Sequence, residues 1–365
     1  MNFFLRALTV NRRLSTNCSS NHLLRLRAVI VVALLCAVLA PPCVAAANPR
    51  SKQRPSPALG ARVDRILNSS AASRGFWGIE VAELPSGRIL FNRDAQHLFH
   101  PASNMKLFTT AAALEKLGQD FAFRTTVECS SGPDSQGIVQ LLYLVGRGDP
   151  TFCGDFSPPP PNPAQASNYT CTALEDMAAQ VRARGVLEVF GPLVADDSYF
   201  DSEPYMHGWT VEDMLWGYGA TVSALSFNSD VLLLRIKPAL KLGDPAQVSL
   251  YPFANYYQLN NSLVTAGAAS ESHLFVERGP DSMRLDVWGQ IPLGAGETDE
   301  HVAIAHPAEL VGEIFRQALE VSGTVVKGGV QVRQVTRLEA ALADRTPPQA
   351  SPRVVLAEHD SLPLR

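Results

Sequence analysis

Residues His100–Gly118 read HPASNMKLFTTAAALEKLG, and their interpretation decides what the chain builds. Pro101 lies in the entering turn and Gly118 supplies a left-handed stop, so the spacing predicts a helix from Ala102 or Ser103 to Leu117. Leu107, Phe108, Ala111, Ala112 and Leu114 make it apolar around most of its circumference, the pattern of a buried helix. Ser103 and Lys106, three apart, share a face at its head. An ammonium near a buried helix start needs a partner or must give up its proton. A desolvated lysine can take the hydroxyl proton of a neighbouring serine and turn it into a nucleophile, and the helix N-terminus favours the negative charge that develops. The residues alone equally suit an N-capping serine beside a lysine whose stem lies along apolar surface. Spacing by itself is a weak signal, but this S-x-x-K is the sole one in the chain and it opens a helix that follows a hairpin.

That hairpin is read from FWGIEVAEL (Phe76–Leu84) and RILFNR (Arg88–Arg93), two strand-like runs separated by PSG. Before it, ALGARVDRILNSS reads as a short helix with Ala61, Val63 and Ile66 as apolar contacts, preceded by a linker rich in Pro and basic residues. Beyond the opening helix, LLYLVG reads as a strand and CTALEDMAAQVRARG as a helix stopped by Gly185. From Val231 the runs VLLLRIK, QVSLYPF, HLFVER and RLDVWG alternate with turn chemistry, which predicts an antiparallel β unit at about residues 230–295. HPAELVGEIFRQALEVSG then supplies an amphipathic helix with Pro307 near its start and Gly323 after its end.

The N-terminus carries export signals. Arg25 and Arg27 precede the apolar run AVIVVALLCAVLA, and Ala45-Ala46-Ala47 offers a small-residue cleavage site, so residues 1–47 read as a signal peptide and the mature protein as exported. The run is shorter than the roughly 20 residues a membrane span needs. Removing residues 1–47 leaves 26 basic against 35 acidic residues, a balance of −9 with no basic stripe, which excludes nucleic acid as a partner. Of the six cysteines, Cys129, Cys153 and Cys171 remain in an oxidising setting. Cys153 with Cys171 is the favoured pairing, closing a Pro-rich loop, although spacing alone leaves three free thiols open. Asp196, Asp197 and Asp201 in ADDSYFDSE lack defined oxygen-ligand spacing and read as turn chemistry, and the eight His form no zinc-peptidase pair. We read no metal site and no cofactor requirement.

The opening segment closely resembles the nucleophile segment of the class C low-molecular-mass penicillin-binding proteins, the D-alanyl-D-alanine carboxypeptidases/endopeptidases. LVGRGDPTF, ADDSYFDSE, GWTVEDMLWGYGATVSALSFNSD and HPAELVGEIFRQALEVSG resemble further landmarks of that family, in order. The resemblance implies an α/β (α+β) fold: a serine β-lactamase/transpeptidase-like penicillin-recognising domain, interrupted by large inserted mixed and antiparallel β domains. On that pattern residues 48–120 carry the S-x-x-K part, 121–340 the insertions, and 341–365 a return to the first domain that is cut short. It also implies Ser103 as nucleophile, with its own backbone N–H in the oxyanion hole, and Lys106 as general base. The substrate would be peptidoglycan stem peptides, with β-lactams as inhibitors, a periplasmic or envelope location and room for peripheral membrane association.

The family's chemistry also uses S-x-N and then K-T-G or K-S-G. No Lys here is followed by Thr-Gly or Ser-Gly, and Ser226-Phe227-Asn228, which fits S-x-N, lies in an inserted-region landmark and reads as a decoy. Ser361 and Pro363 form a helix-start signal at the end of the chain, so the sequence reads as the front portion of a longer enzyme. The alternative is a non-catalytic envelope protein of the same fold that binds peptidoglycan or a partner.

Overall fold

Segments of two to nine residues, each carrying Leu, Val or Ile, supply the strands in the middle of the chain. The structure, a computed structural model, describes residues 57–154, 171–203, 205, 208–343 and 353–365. The signal peptide, the linker and most of the Pro-rich run after Cys153 lie outside the described residues. The chain divides into two compact units, Met1–Met105 and Lys106–Arg365, taken here in turn.

In the first unit, α1 (Pro57–Leu67) packs on the hairpin of β1 (Ile79–Ala82) and β2 (Ile89–Arg93), which pair antiparallel. The face of α1 turned to Phe91 carries Gly60, Val63 and Leu67, with Leu67 and Phe91 both buried. Ala61 and Ile66, expected as contacts, are exposed. Positions 60, 63 and 67 make one helical stripe, whereas 61, 63 and 66 straddle two.

The second unit begins within α2 (Met105–Leu117). Its centre is a five-stranded sheet of β3 (Arg124–Cys129), β5 (Leu142–Val145), β7 (Leu193–Asp201), β15 (Val330–Val335) and β16 (Val354–Asp360), in the order β15-β7-β5-β3-β16. β5, β7 and β15 run parallel, while β3 is antiparallel to both its neighbours. Parallel strands need crossovers, and the helices provide them. α3 (Thr172–Ala183) buries Leu174, Met177, Ala178 and Val181, and α4 (Pro307–Val321) buries Ala308, Val311, Gly312, Phe315 and Leu319. The two helices pack on each other, α3 also on β16, and α4 on β7 and β15. A small parallel ribbon, β4 (Ile138–Val139), β6 (Glu188–Val189) and β14 (Val325–Val326), extends the layer. The short helix α5 (Arg337–Ala343) follows β15. Cys153 and Cys171 form a disulfide and Cys129 is a buried free thiol.

Two three-stranded sheets complete this unit. β8 (Val231–Lys237), β9 (Gln247–Tyr251) and β13 (Thr298–Ala303) are antiparallel in the order β13-β8-β9. In the other, β11 (His273–Glu277) runs antiparallel to β12 (Arg284–Pro292), but β10 (Gln258–Ala266) runs parallel to it from Gln258↔Arg284 to Ala266↔Pro292. The wholly antiparallel unit expected over residues 230–295 therefore contains one parallel pair. Side-chain alternation specifies which face a strand buries and carries no sign of its neighbour's direction. The segment that the sequence assigned to a return to the first domain supplies β16, hydrogen-bonded along β3. No helix among the described residues is long and apolar enough to cross a membrane.

Candidate active site

The S-x-x-K segment enters its helix through a tight turn. Pro101 precedes a 3-10 turn, Ala102–Asn104, which runs directly into α2, and the Asn104 amide donates to the Pro101 carbonyl at 2.9 Å. Ala102 adopts a left-handed conformation, φ 44°, a costly geometry for an alanine that places Ser103 at a sharp bend ahead of the helix. Ser103 is the middle residue of the 3-10 turn and Lys106 the second of α2. The Thr110 hydroxyl donates back to the Lys106 carbonyl at 2.7 Å, fixing the first turn of the helix.

The expected burial is not observed. Ser103, Lys106 and the whole first half of α2 are exposed, and Leu107 and Phe108 stand 70% and 69% open. An apolar circumference drives burial only where another element packs closely on it, and among the described residues this helix stays largely open. The desolvated pocket invoked for Lys106 is thus absent from the described residues.

The acidic cluster lies within a strand and not in the turn that the sequence suggested. Asp196 and Asp197 occupy the middle of β7 and are buried, while Asp201 ends the strand, exposed. Asp196 accepts from the Ser198 amide and hydroxyl and from Arg333 at 2.9 Å, with Arg353 at 3.5 Å. Burial pushes its carboxyl up, but the Ser198 hydrogen bonds and the Arg333 charge outweigh burial and leave it below the usual carboxylate range. Asp197 accepts from the Ser223 hydroxyl at 2.8 Å, the Ala224 amide at 2.5 Å and Gln334 at 3.2 Å, tying β7 to the 223–226 segment. Charged donors and backbone amides thus satisfy what a strand interior would otherwise leave unpaired.

Ser226-Phe227-Asn228 is likewise spent on structure. Ser226 is buried with its hydroxyl donating to Asp230 at 3.0 Å, Phe227 is fully buried, and the Asn228 side-chain Nδ2 donates to the Val231 carbonyl at 3.1 Å. Asn228, Ser229 and Asp230 all take left-handed φ angles, 49°, 55° and 59°, so this tripeptide forms a tight turn held by the Asp230 carboxylate, which also accepts from the Phe227 amide.

The sequence profile of the D-Ala-D-Ala carboxypeptidase 3 (S13) family matches residues 59–362. The chain belongs to this S13 family. It is 39% identical over 274 residues to the D-alanyl-D-alanine carboxypeptidase of Actinomadura sp. (strain R39), covering 73% of this chain and 48% of that protein. It is 23% identical over 186 residues to the D-alanyl-D-alanine carboxypeptidase DacB of Haemophilus influenzae, covering 49% of this chain and 35% of the relative. The chain therefore spans about half the length, or less, of these relatives. Among solved structures, penicillin binding protein 4 (dacB) from Haemophilus influenzae matches with a TM-score of 0.60 and 21% identity, over 79% of this chain and 56% of that one. The same protein complexed with a β-lactam matches with a TM-score of 0.55 and 19% identity, covering 79% and 55%. The S13 fold, with its additional β domains, is thus the fold of this chain, as the ordered landmarks implied.

Proposed function

We propose that this S13 chain is the nucleophile-bearing portion of an exported serine D-alanyl-D-alanine carboxypeptidase/endopeptidase acting on peptidoglycan stem peptides in the cell envelope. The observation that carries the reading is the family match over residues 59–362, within which the sole S-x-x-K opens α2. Ser103 Oγ attacks the carbonyl carbon of the bond before the terminal D-alanine while Lys106 Nζ takes its proton. The Ser103 backbone N–H donates to the oxyanion of the tetrahedral intermediate, and its collapse expels the amine, which receives the proton from Lys106. Water then attacks the resulting ester and frees Ser103. β-Lactams would follow the first half of this path, their strained amide standing in for the scissile bond.

Acylation by a fluorescent penicillin tests the reading. Labelling that is present in the parent chain and abolished in Ser103→Ala is the expected result. Lys106→Ala should slow labelling by at least about 100-fold, the scale of general-base catalysis. Equal labelling of the parent and Ser103→Ala would rule out Ser103 as nucleophile. The exposure of Ser103 and Lys106 favours one second reading, a non-catalytic peptidoglycan- or partner-binding protein. On that reading the parent remains unlabelled while still sedimenting with insoluble peptidoglycan.

A further inference from the structure

β11 ends its sheet with one side unpaired. In the order β10-β12-β11 it bonds to β12 alone, and among the described residues the backbone groups along its other edge have no partner. An open row of N–H and C=O groups is a template for another strand. The centre of β11, Leu274-Phe275-Val276, carries none of the prolines or lysines that natural edges use against such pairing, and Phe275 is half exposed.

A cavity of about 480 Å³ follows that edge. Residues 274–279 line it in unbroken succession. Side chains of a strand alternate between faces, so a cavity lined by every residue in turn runs along the strand's edge and not over one face of the sheet. Val211, Glu212, Leu215 and Trp216, from a separate segment, complete the lining together with Trp288, the cross-strand neighbour of Phe275, whose ring stacks on it at 5.5 Å. Arg278, buried at the end of the strand, ties the two segments together. Its Nη2 donates to the Met214 carbonyl at 2.8 Å, and its guanidinium carbon lies 5.5 Å from the centre of the Tyr257 ring. A groove of this volume, walled on a second side, holds a few residues of one extended chain and has no room for the edge of another sheet with its strands behind it. Its charge sets the sign of the occupant: two exposed carboxylates, Glu212 and Glu277, stand against the one guanidinium, which is already turned to Met214 and Tyr257.

We propose that the free edge of β11 binds an extended, cationic segment of a partner protein, which joins the sheet as a fourth strand. Main-chain hydrogen bonds to β11 supply the affinity, while alternate apolar side chains against the Trp216, Phe275 and Trp288 rings and basic ones drawn to Glu212 and Glu277 supply the selectivity. The inference does not rest on the acyl-transfer reading of Ser103.

Two of the four tryptophans line the groove, so intrinsic fluorescence reports its occupancy, and amide hydrogen exchange along β11 reports whether a ladder has formed. We would titrate the full chain with the capped hexapeptide acetyl-Lys-Val-Thr-Val-Thr-Lys-amide. The expected result is a saturable fluorescence change accompanied by slowed exchange in β11. N-methylating every second amide of the peptide keeps its side chains and charge but removes one row of donors, and in one of the two phases it should weaken binding about 10-fold or more. Replacing both peptide lysines by glutamate should weaken it similarly. In the double variant Glu212→Lys, Glu277→Lys, at two exposed positions, the preference should invert so that the acidic peptide binds more tightly. Absence of a saturable change up to about 10 mM peptide, above the millimolar range of weak ligands, would overturn the proposal. Binding that leaves β11 exchange unaltered, N-methylated peptides that both bind as well as the parent peptide, or a charge preference that survives the double variant would overturn it too. Protection of β11 that appears without peptide and grows with protein concentration would make a second copy of the chain the occupant, and would also overturn it.

Discussion

Asp230 shows how much one carboxylate can hold. Burial raises its pKa to about 7, against which the Phe227 amide and Ser226 hydroxyl pull down, while the nearby Asp197 charge pushes up. In the unfolded chain the same group titrates near 3.8, so between those values the folded state holds a proton that the unfolded state has lost. Its contribution to stability is therefore complete below about pH 4 and falls as pH rises toward 7, with a limiting slope of about 1.4 kcal/mol per pH unit. Asp230→Asn imitates the protonated acid in shape and hydrogen bonding. Its melting temperature relative to the parent should rise from about pH 5 to about pH 7, and parallel melting curves across that range would refute the account. At this scale the sequence was legible where a residue type sat in a motif. Ser226-x-Asn228 was set aside by its context, and its side chains are spent on a turn, whereas Ser103 and Lys106 stand out by spacing and order and their catalytic role rests on the proposal above. The left-handed Ala102 gave no sign, since nothing distinguishes an alanine in that conformation from any other. Arg278 reads in the sequence as an ordinary charge ending a strand, and only the packing of Tyr257 and Met214 around it makes it unusual.

Among the elements, the α4–sheet contact depends on a missing side chain. A Cβ on Gly312 would meet Val330 Cγ1 at 2.6 Å and Ala195 Cβ at 3.2 Å, so the glycine lets α4 approach β7 and β15 closely. Gly312→Val gains some helix propensity but drives a branched side chain into that contact. The overpacking should win and cost about 2 kcal/mol net, measurable as a lower midpoint in urea at unchanged slope. Helices were the most legible elements here, because Gly118, Gly185 and Gly323 all take left-handed φ angles just past the ends of α2, α3 and α4. Strands were legible by position, though the parallel run of β10 beside β12 was not. The burial of α2 was misread because an apolar circumference reports what a helix can bury, and burial follows only where another element packs closely on it.

For the molecule as a whole, the Cys153–Cys171 bridge spans 18 positions and limits the freedom of the unfolded chain. Replacing both cysteines by serine should lower unfolding free energy by about 3 kcal/mol, read from denaturant titration of the oxidised parent against the double variant. An unchanged midpoint would mean that the bridge contributes nothing to the unfolded-state ensemble. The sequence also conveyed the family and its fold through the order of its landmarks, which the S13 match and the TM-score of 0.60 bear out, whereas the order of strands within the central sheet had no sequence signal. That order carries a consequence for synthesis. β3 lies at residues 124–129, but its outer neighbour β16 is encoded at 354–360, so β3 keeps a bare outer edge while the whole stretch between them is translated. The sheet cannot close on that side until residue 360 has left the ribosome, and over that interval the nascent chain carries the kind of unpaired strand edge that invites wrong pairing.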